Sequence, residues 1–162
     1  MMPHIVAHSR QVCRVAVVLT DALNDRGIGL HRDLVRAAAM LHDITKTRSF
    51  ESGEDHAETG GRLLTDLGWP EVGDIVRQHV HLDANGHPGP PTEVEIVNYA
   101  DKRVMHDSIV SLEQRMDYIL QRYGTTPMHR RRIQKLWQQT TTLEQKLFDG
   151  LPFEPAAVAS RL

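Results

Sequence analysis

Apolar residues recur at helical spacing along most of this chain, and no segment alternates apolar and polar residues as a half-buried strand does. The first stripe consists of His8, Val12, Val15, Leu19 and Leu23. Its members are separated by three or four residues, so they share one face of a helix. Later segments repeat this periodicity between glycines and prolines. The pattern predicts an all-α fold.

Seven helices are predicted, and polar segments rich in glycine or proline separate them. They cover about residues 3–26, 31–46, 55–67, 70–79, 92–105, 111–123 and 126–148. The polar stretch 47–55, which contains Gly53, is predicted to be a loop. Residues 82–92 hold three prolines and two glycines, so we expect a surface loop of functional length there. The tail beyond Gly150 is expected to be irregular.

The length of 162 residues suits one domain with a real core and is too short for a second full domain. We expect residues 1–110 to form the main helical domain and residues 111–162 to form C-terminal helices that pack on it in the same compact unit. The basic run 129–132 is predicted to be a solvated helix face or a self-association surface. A homodimer through the C-terminal helices therefore remains open.

Composition restricts the partners and the compartment. The net charge of −2 gives no electrostatic reason to expect nucleic acid or an anionic membrane as the main partner. The single cysteine, Cys13, excludes an intramolecular disulfide and fits a reducing cytoplasm. The apolar run 15–19 is too short to span a bilayer, and Arg10 and Arg14 interrupt any signal-peptide pattern. We therefore expect a cytoplasmic protein that does not enter a membrane.

Six polar residues interrupt the apolar stripes of five predicted helices: His8, His42, Asp43, His56, His79 and Asp101. A single buried histidine is usually a hydrogen-bonded core residue. Six convergent groups without matching buried cations are better explained as metal ligands, because burying them unpaired costs several kcal/mol each. Four histidines and two aspartates suit Fe, Mn, Co, Ni or Zn rather than Ca²⁺. One or two ions are expected, and Asp43 would bridge two, an arrangement that suits displacement at phosphorus.

These residues and their order resemble the HD-domain metal-dependent phosphohydrolase superfamily in its HDIG-type branch. The similarity covers about residues 4–108 and lies in His8, in the stretch Leu-His-Asp-Ile-Thr-Lys at 41–46, in His-Ala-Glu-Thr-Gly-Gly at 56–61, and in Tyr-Ala-Asp-Lys at 99–102. The resemblance implies an HD-domain helical bundle. It also implies that His8, His42, Asp43 and Asp101 hold a first metal, and that Asp43, His56 and His79 hold a second. Lys46 would contact the substrate phosphate or assist catalysis.

Two departures from the family pattern bear on the substrate. Thr45 stands where the HDIG motif has glycine. Val80 stands where cyclic-di-GMP phosphodiesterases of the HD-GYP group carry a second histidine, and their GYP motif is missing. The segment from His56 to Asp101 is similar to HD-type bacterial hydrolases that cleave diadenosine tetraphosphate symmetrically. The resemblance therefore favours a nucleotide or a small phosphate ester over cyclic-di-GMP.

The expected function is hydrolysis of a phosphorylated small molecule by attack of a metal-bound hydroxide at phosphorus. Lys46 and Arg103 are the candidates for phosphate contact, because both flank predicted ligands and carry a positive charge. The pair His106-Asp107 is predicted to be structural, and His81 and His87 are left open as additional site residues. Two alternatives stay open: a di-iron oxygenase on the same ligand set, and a non-catalytic metal-binding regulatory module.

Overall fold

The computed structural model describes residues 1–83 and 88–162. Within them the chain forms eight α-helices and a β-hairpin whose two strands have two residues each. The helices are α1 (Pro3–Asn24), α2 (Arg32–Leu41), α3 (Lys46–Ser52), α4 (His56–Asp66), α5 (Pro70–Arg77), α6 (Glu93–Lys102), α7 (Leu112–Tyr123) and α8 (Pro127–Phe148). The hairpin pairs β1 (Val104–Met105) with β2 (Ser108–Ile109) in antiparallel register. The all-α prediction is confirmed.

Helix α1 forms the centre of the bundle. It packs against α2, α6 and the hairpin, and its apolar stripe is fully buried at Val12, Val15 and Leu19. The spacing of these residues predicted this face. The core continues through α6, where Ile96, Val97 and Tyr99 have no exposed surface.

Helices α4 and α5 are packed with their backbones in contact. A Cβ atom added at Gly61 would lie 2.7 Å from the carbonyl oxygen of Gly73, and one added at Gly73 would lie 2.6 Å from that of Gly61. Only glycine at both positions permits this approach, because any side chain would collide with main chain. The close packing places the start of α4 beside the end of α5.

Three boundaries differ from the sequence-based prediction. The predicted loop 47–55 is wrong for residues 47–52, because Lys46–Ser52 forms α3, and Gly53 caps its end with a φ of 70°. No residue of α3 is buried, so the apolar periodicity that reveals a helix was absent. Helix α2 ends at Leu41 rather than at residue 46, and α6 ends at Lys102 rather than near residue 105. The residues directly beyond α2 form a turn that carries His42 and Asp43, and those beyond α6 lead into the hairpin.

The C-terminal helices pack on the rest of the bundle through apolar and ionic contacts. Leu143 and Leu147 of α8 belong to the same buried cluster as Tyr99 of α6. The Lys146 ammonium donates to both carboxylate oxygens of the buried Glu95 at 2.7 Å. The tail ends in two short 3-10 turns, Pro155–Ala157 and Ala159–Arg161. Among the described residues, no helix has both the length and the apolar character needed to cross a bilayer.

Candidate metal centre

Two histidines enter the site from the ends of helices. His42 directly follows the last residue of α2, and His79 lies two residues beyond the end of α5. The Nδ1 atom of His42 contacts the carbonyl oxygen of Ala39 at 2.8 Å, and Nδ1 of His79 contacts that of Val76 at 2.6 Å. A carbonyl only accepts, so the proton resides on Nδ1 in both rings. The Nε2 lone pairs are therefore free to bind an ion, and both rings are almost fully buried.

His8 is oriented by the hairpin rather than by its own helix. It lies in the middle of α1, and its Nδ1 atom donates to the carbonyl oxygen of His106 at 2.8 Å. His106 occupies the hairpin turn with a φ of 57°, the left-handed region that most residues avoid. Its side chain is exposed, so its contribution to the site comes from the backbone.

Asp43 lies at the centre of the cluster with its two carboxylate oxygens directed to different neighbours. The Oδ2 atom is 3.5 Å from Nε2 of His42 and 2.9 Å from the Lys46 ammonium. The Oδ1 atom is 3.2 Å from Nε2 of His56 and 3.6 Å from Nε2 of His79. The carboxylate is thus placed to be shared between two sites.

The potential ligands divide into two groups that share this aspartate. His8, His42 and Asp43 form the first, and Asp43, His56 and His79 form the second. Asp101 adjoins the first, since its Oδ1 atom is 3.1 Å from Nε2 of His8 and 3.6 Å from Nε2 of His42. In the second, the Nε2 atoms of His56 and His79 are 3.2 Å apart.

Interatomic distances in the cluster fit a divalent transition-metal ion. Such ligands bind at about 2.0–2.2 Å, so two ligands at right or tetrahedral angles lie roughly 2.8–3.6 Å apart. The pairs described above, from 3.1 to 3.6 Å, fall in this range. Two deeply buried atoms, Nε2 of His42 and Oδ1 of Asp43, have no hydrogen-bond partner among the described residues. A cation would relieve both, so the donor set fits a metal ion.

The electrostatics keep both aspartates ionised. Burial disfavours a charge on Asp43, but His42, followed by His56 and His79, outweighs it and holds the pKa of the carboxyl well below its usual range. Burial also opposes the charge on Asp101, and the hydrogen bond from His8 together with nearby positive charge lowers its pKa. Burial lowers the pKa of His79. Burial also opposes a charge on His42, but Asp43 and Asp101 outweigh it and raise its pKa. Carboxylates and neutral imidazoles are the forms that bind metal, so an ion at His42 competes with a proton.

The structure brings all six predicted ligands together and places Lys46 beside them, with about a third of its side chain exposed. Arg103 lies elsewhere. Its guanidinium is buried and donates to the carbonyl oxygens of Val110 and Pro155 and to the Tyr99 hydroxyl. These bonds give Arg103 a structural role, which corrects the expectation that it contacts a substrate phosphate. His81 is exposed, and His87 lies outside the described residues.

Several supporting groups were not identified from the sequence. Three are the carbonyl oxygens of Ala39, Val76 and His106, which belong to the backbone and leave no side-chain signature. The Lys102 ammonium donates to the carbonyl oxygen of His79 at 2.9 Å and thereby fixes the backbone of this ligand. The carbonyl groups of Ala39 and Val76 each lie three residues before the histidine that they orient. A histidine one or two residues beyond a helix end is therefore the sequence feature that could have indicated this hydrogen bond.

Thr45 lies in the turn between α2 and α3, and its side chain contacts α4. Its φ is −98°, a backbone conformation that does not require the glycine of the HDIG pattern. Its hydroxyl donates to the carbonyl oxygen of His56 at 2.8 Å and accepts from the Thr59 hydroxyl at 3.0 Å. The substitution therefore adds a tie that positions the start of α4.

The fold and the site define an all-α domain that gathers histidines and aspartates from several helices around a candidate dimetal centre. The family model of the HD domain matches residues 5–105, and the chain belongs to this family. HD domains bind divalent metals and are generally metal-dependent phosphohydrolases.

Comparison with known proteins gives distant relatives. A tRNA (cytidine(56)-2'-O)-methyltransferase of Picrophilus torridus is 29% identical over 86% of this chain and 42% of the relative. Ribonuclease Y of Aquifex aeolicus is 32% identical over 60% of this chain and 16% of the relative. An uncharacterized protein of Methanocaldococcus jannaschii is 26% identical over 70% of each chain. The chain thus spans less than half of the first two relatives, and no solved structure matches it.

Proposed function

We propose that this protein is a metal-dependent phosphohydrolase acting on a nucleotide or another small phosphate ester. The observation that carries the proposal is the shared Asp43, whose two oxygens face two groups of imidazole Nε2 atoms at 3.2 to 3.6 Å. A pair of divalent ions polarises the phosphoryl oxygens and makes water nucleophilic at neutral pH. Hydrolysis at phosphorus is the reaction that such a pair serves best.

In this proposal each residue has a separate task. His8, His42, Asp43 and Asp101 would hold one ion, and Asp43, His56 and His79 would hold the other. Hydrogen bonds from Nδ1 to carbonyl oxygens orient three of the imidazoles before any ion binds. This preorganisation matters because a metal site loses affinity when its outer hydrogen bonds are removed.

Lys46 is the proposed phosphate contact. Its ammonium reaches Asp43 at 2.9 Å while about a third of the side chain remains exposed, so it lies between the cluster and solvent. A cation in this position attracts an anionic substrate and offsets charge that develops on the phosphoryl oxygens. A nucleotide substrate is supported by two of the relatives, which are named as a tRNA methyltransferase and a ribonuclease.

The test is release of phosphate or nucleoside from a panel of nucleotides and from aryl phosphate mono- and diesters, with Mn²⁺, Fe²⁺, Co²⁺, Ni²⁺ or Zn²⁺ added. Asp43→Asn should abolish turnover, since the shared ligand loses its charge. Asp33→Asn is the matched control, because Asp33 is exposed at the start of α2, the helix that precedes Asp43. Equal turnover in wild type and Asp43→Asn would refute the proposal.

A further inference from the structure

One surface of the molecule is strongly basic although the chain as a whole is acidic. From Tyr118 to Leu143 the sequence contains no Asp or Glu and five Lys or Arg residues: Arg122, Arg130, Arg131, Arg132 and Lys135. The other 14 of the 19 Lys and Arg residues share the remainder with all 21 Asp and Glu residues. The net charge of −2 therefore conceals a positive surface, which we call the α7–α8 basic face and define by these five residues.

All five cations of the α7–α8 basic face are exposed. None of them forms an ion pair within residues 1–83 and 88–162. Arg131 and Lys135 are one turn apart, so their like charges repel and destabilise the helix. Arg130 also lies in the first turn of α8, where the helix dipole disfavours cations. A bound polyanion would relieve both costs.

The turn between α7 and α8 holds this surface in a defined shape. Nε of Arg130 donates to the carbonyl oxygen of Gly124 at 2.8 Å, and the Thr126 hydroxyl accepts from the His129 amide at 3.1 Å. Pro127 occupies the first position of α8, where its missing N–H costs nothing. The arginines therefore project from an ordered helix start rather than from a flexible tail.

An exposed aromatic ring lies at the same turn. Tyr123 is 56% exposed, directly precedes Gly124, and has the Arg122 guanidinium 5.9 Å from its ring centre. The basic run 129–132 itself contains no aromatic residue on which a base could stack. The fold supplies one, because the Arg130 contact with Gly124 brings the start of α8 beside the end of α7.

We propose that the α7–α8 basic face binds single-stranded nucleic acid. The cations would contact consecutive phosphates, and Tyr123 would stack on an unpaired base, which is the combination that sequence-tolerant single-strand binders use. A lipid surface fits less well. The apolar side of α8, with Leu143 and Leu147, is buried against the domain, and Met128 is the one exposed large apolar residue of the helix in the described structure.

The test is fluorescence anisotropy with a labelled single strand of about 20 nucleotides, as RNA and as DNA of the same sequence, between about 50 and 200 mM salt. EDTA is present throughout, so the outcome is independent of the metal centre and of the proposed hydrolysis. If all five cations contact phosphates, the slope of log K against log salt is about −3.5. Binding then weakens roughly a hundredfold across this salt range.

The decisive variant is Arg131→Gln/Arg132→Gln/Lys135→Gln, which should reduce the slope by about 2. Its matched control is Arg10→Gln/Arg36→Gln/Arg62→Gln, which changes the net charge equally at exposed positions on other helices and should leave the slope unchanged. Tyr123→Ala should weaken binding roughly five- to 150-fold without changing the slope.

Binding of RNA alone would assign the face to RNA, and equal binding of both strands would assign it to single strands in general. Three results would overturn the proposal: no binding at the lowest salt, equal losses in the two triple variants, or binding to phosphatidylserine vesicles without binding to either strand. All substituted side chains are exposed, so unchanged circular dichroism spectra are expected for every variant.

Discussion

Replacing Asp43 with asparagine should remove most of the metal-dependent stability of this protein. The substitution preserves the size of the side chain, but it removes the charge and converts one ligand oxygen into a donor NH₂ group. An ion present at 100 times its Kd stabilises the wild type by about 2.7 kcal/mol. For a chain of this size each kcal/mol raises Tm by about 2–4 °C, so the expected wild-type shift is roughly 5–11 °C.

The structure predicts a graded series around this variant. Asp43 belongs to both groups of ligands, whereas His8 belongs to the first and His56 to the second. Asp43→Asn should therefore lose nearly the whole shift, and His8→Gln and His56→Gln should each retain part of it. His31→Gln is the control and should retain all of it, because His31 is exposed at the opposite end of α2, about 16 Å from His42 by helix rise.

The assay is thermal unfolding followed by circular dichroism, on protein stripped with EDTA and then on protein with Mn²⁺ or Zn²⁺ restored. Without metal, Asp43→Asn should already melt below wild type, because it removes the charge that pairs with Lys46 and faces the imidazoles. The quantity compared is therefore the shift that metal produces within each variant. A full metal-dependent shift in Asp43→Asn would refute the shared-ligand arrangement. A shift lost equally in His31→Gln would refute the whole assignment.

Three further predictions follow from individual contacts. Gly61→Ala should reduce the free energy of unfolding by about 1–2 kcal/mol, because the clash with α5 main chain exceeds the helix propensity that alanine adds; chemical denaturation measures it. Thr45→Val should cost about 0.5–1.5 kcal/mol, since the carbonyl of His56 loses its donor, and should weaken metal binding measured by calorimetry. Burial raises the pKa of the Cys13 thiol, so iodoacetamide should modify it slowly at neutral pH and faster as pH rises.

Each of these predictions has an internal comparison. Gly60→Ala should destabilise less, because its added Cβ would meet side-chain atoms of Val76 and Thr45 at 3.2 and 3.3 Å, which need to shift by only a few tenths of an ångström, rather than main chain. Equal destabilisation by the two glycine variants would contradict the backbone-contact explanation. Thr142→Val removes a comparable hydroxyl from an exposed helix position and should not alter metal affinity.

The raised pKa of Cys13 predicts that the stability of the fold decreases at alkaline pH. The folded pKa of Cys13 is raised, so the folded state holds the thiol proton more tightly than the unfolded state does. Its contribution to stability is complete below the unfolded pKa of about 8.5 and is lost as pH rises through the folded pKa. Cys13→Ser should remove this alkaline loss. A thiol that reacts at neutral pH as fast as free cysteine would contradict the burial.

The metal centre shows which features the sequence could reveal. The six ligand-type residues could be selected because polar residues on apolar stripes need a reason to be buried. The orientation of the imidazoles could not be predicted, because the carbonyl oxygens that hold them belong to residues with ordinary apolar side chains such as Val76 and Ala39. Arg103 shows the opposite error. Its position two residues after Asp101 suggested a phosphate contact, but Arg103 directly follows α6 and its guanidinium donates to the carbonyl oxygen of Pro155 in the C-terminal tail.

The sequence by itself determined the all-α class, the stripe of α1 and the identity of the candidate ligands, because periodicity and the cost of buried charge are local properties of the chain. Only the structure decided that α3 is a helix, that Asp43 lies between two groups of imidazoles, and that Arg130 contacts Gly124, next to Tyr123. The position of Asp43 depends on contacts between residues distant in sequence, whereas α3 and the turn at Gly124 are local features without apolar periodicity. The sequence pattern identified the candidate ligands, and the packing of the helices arranged them.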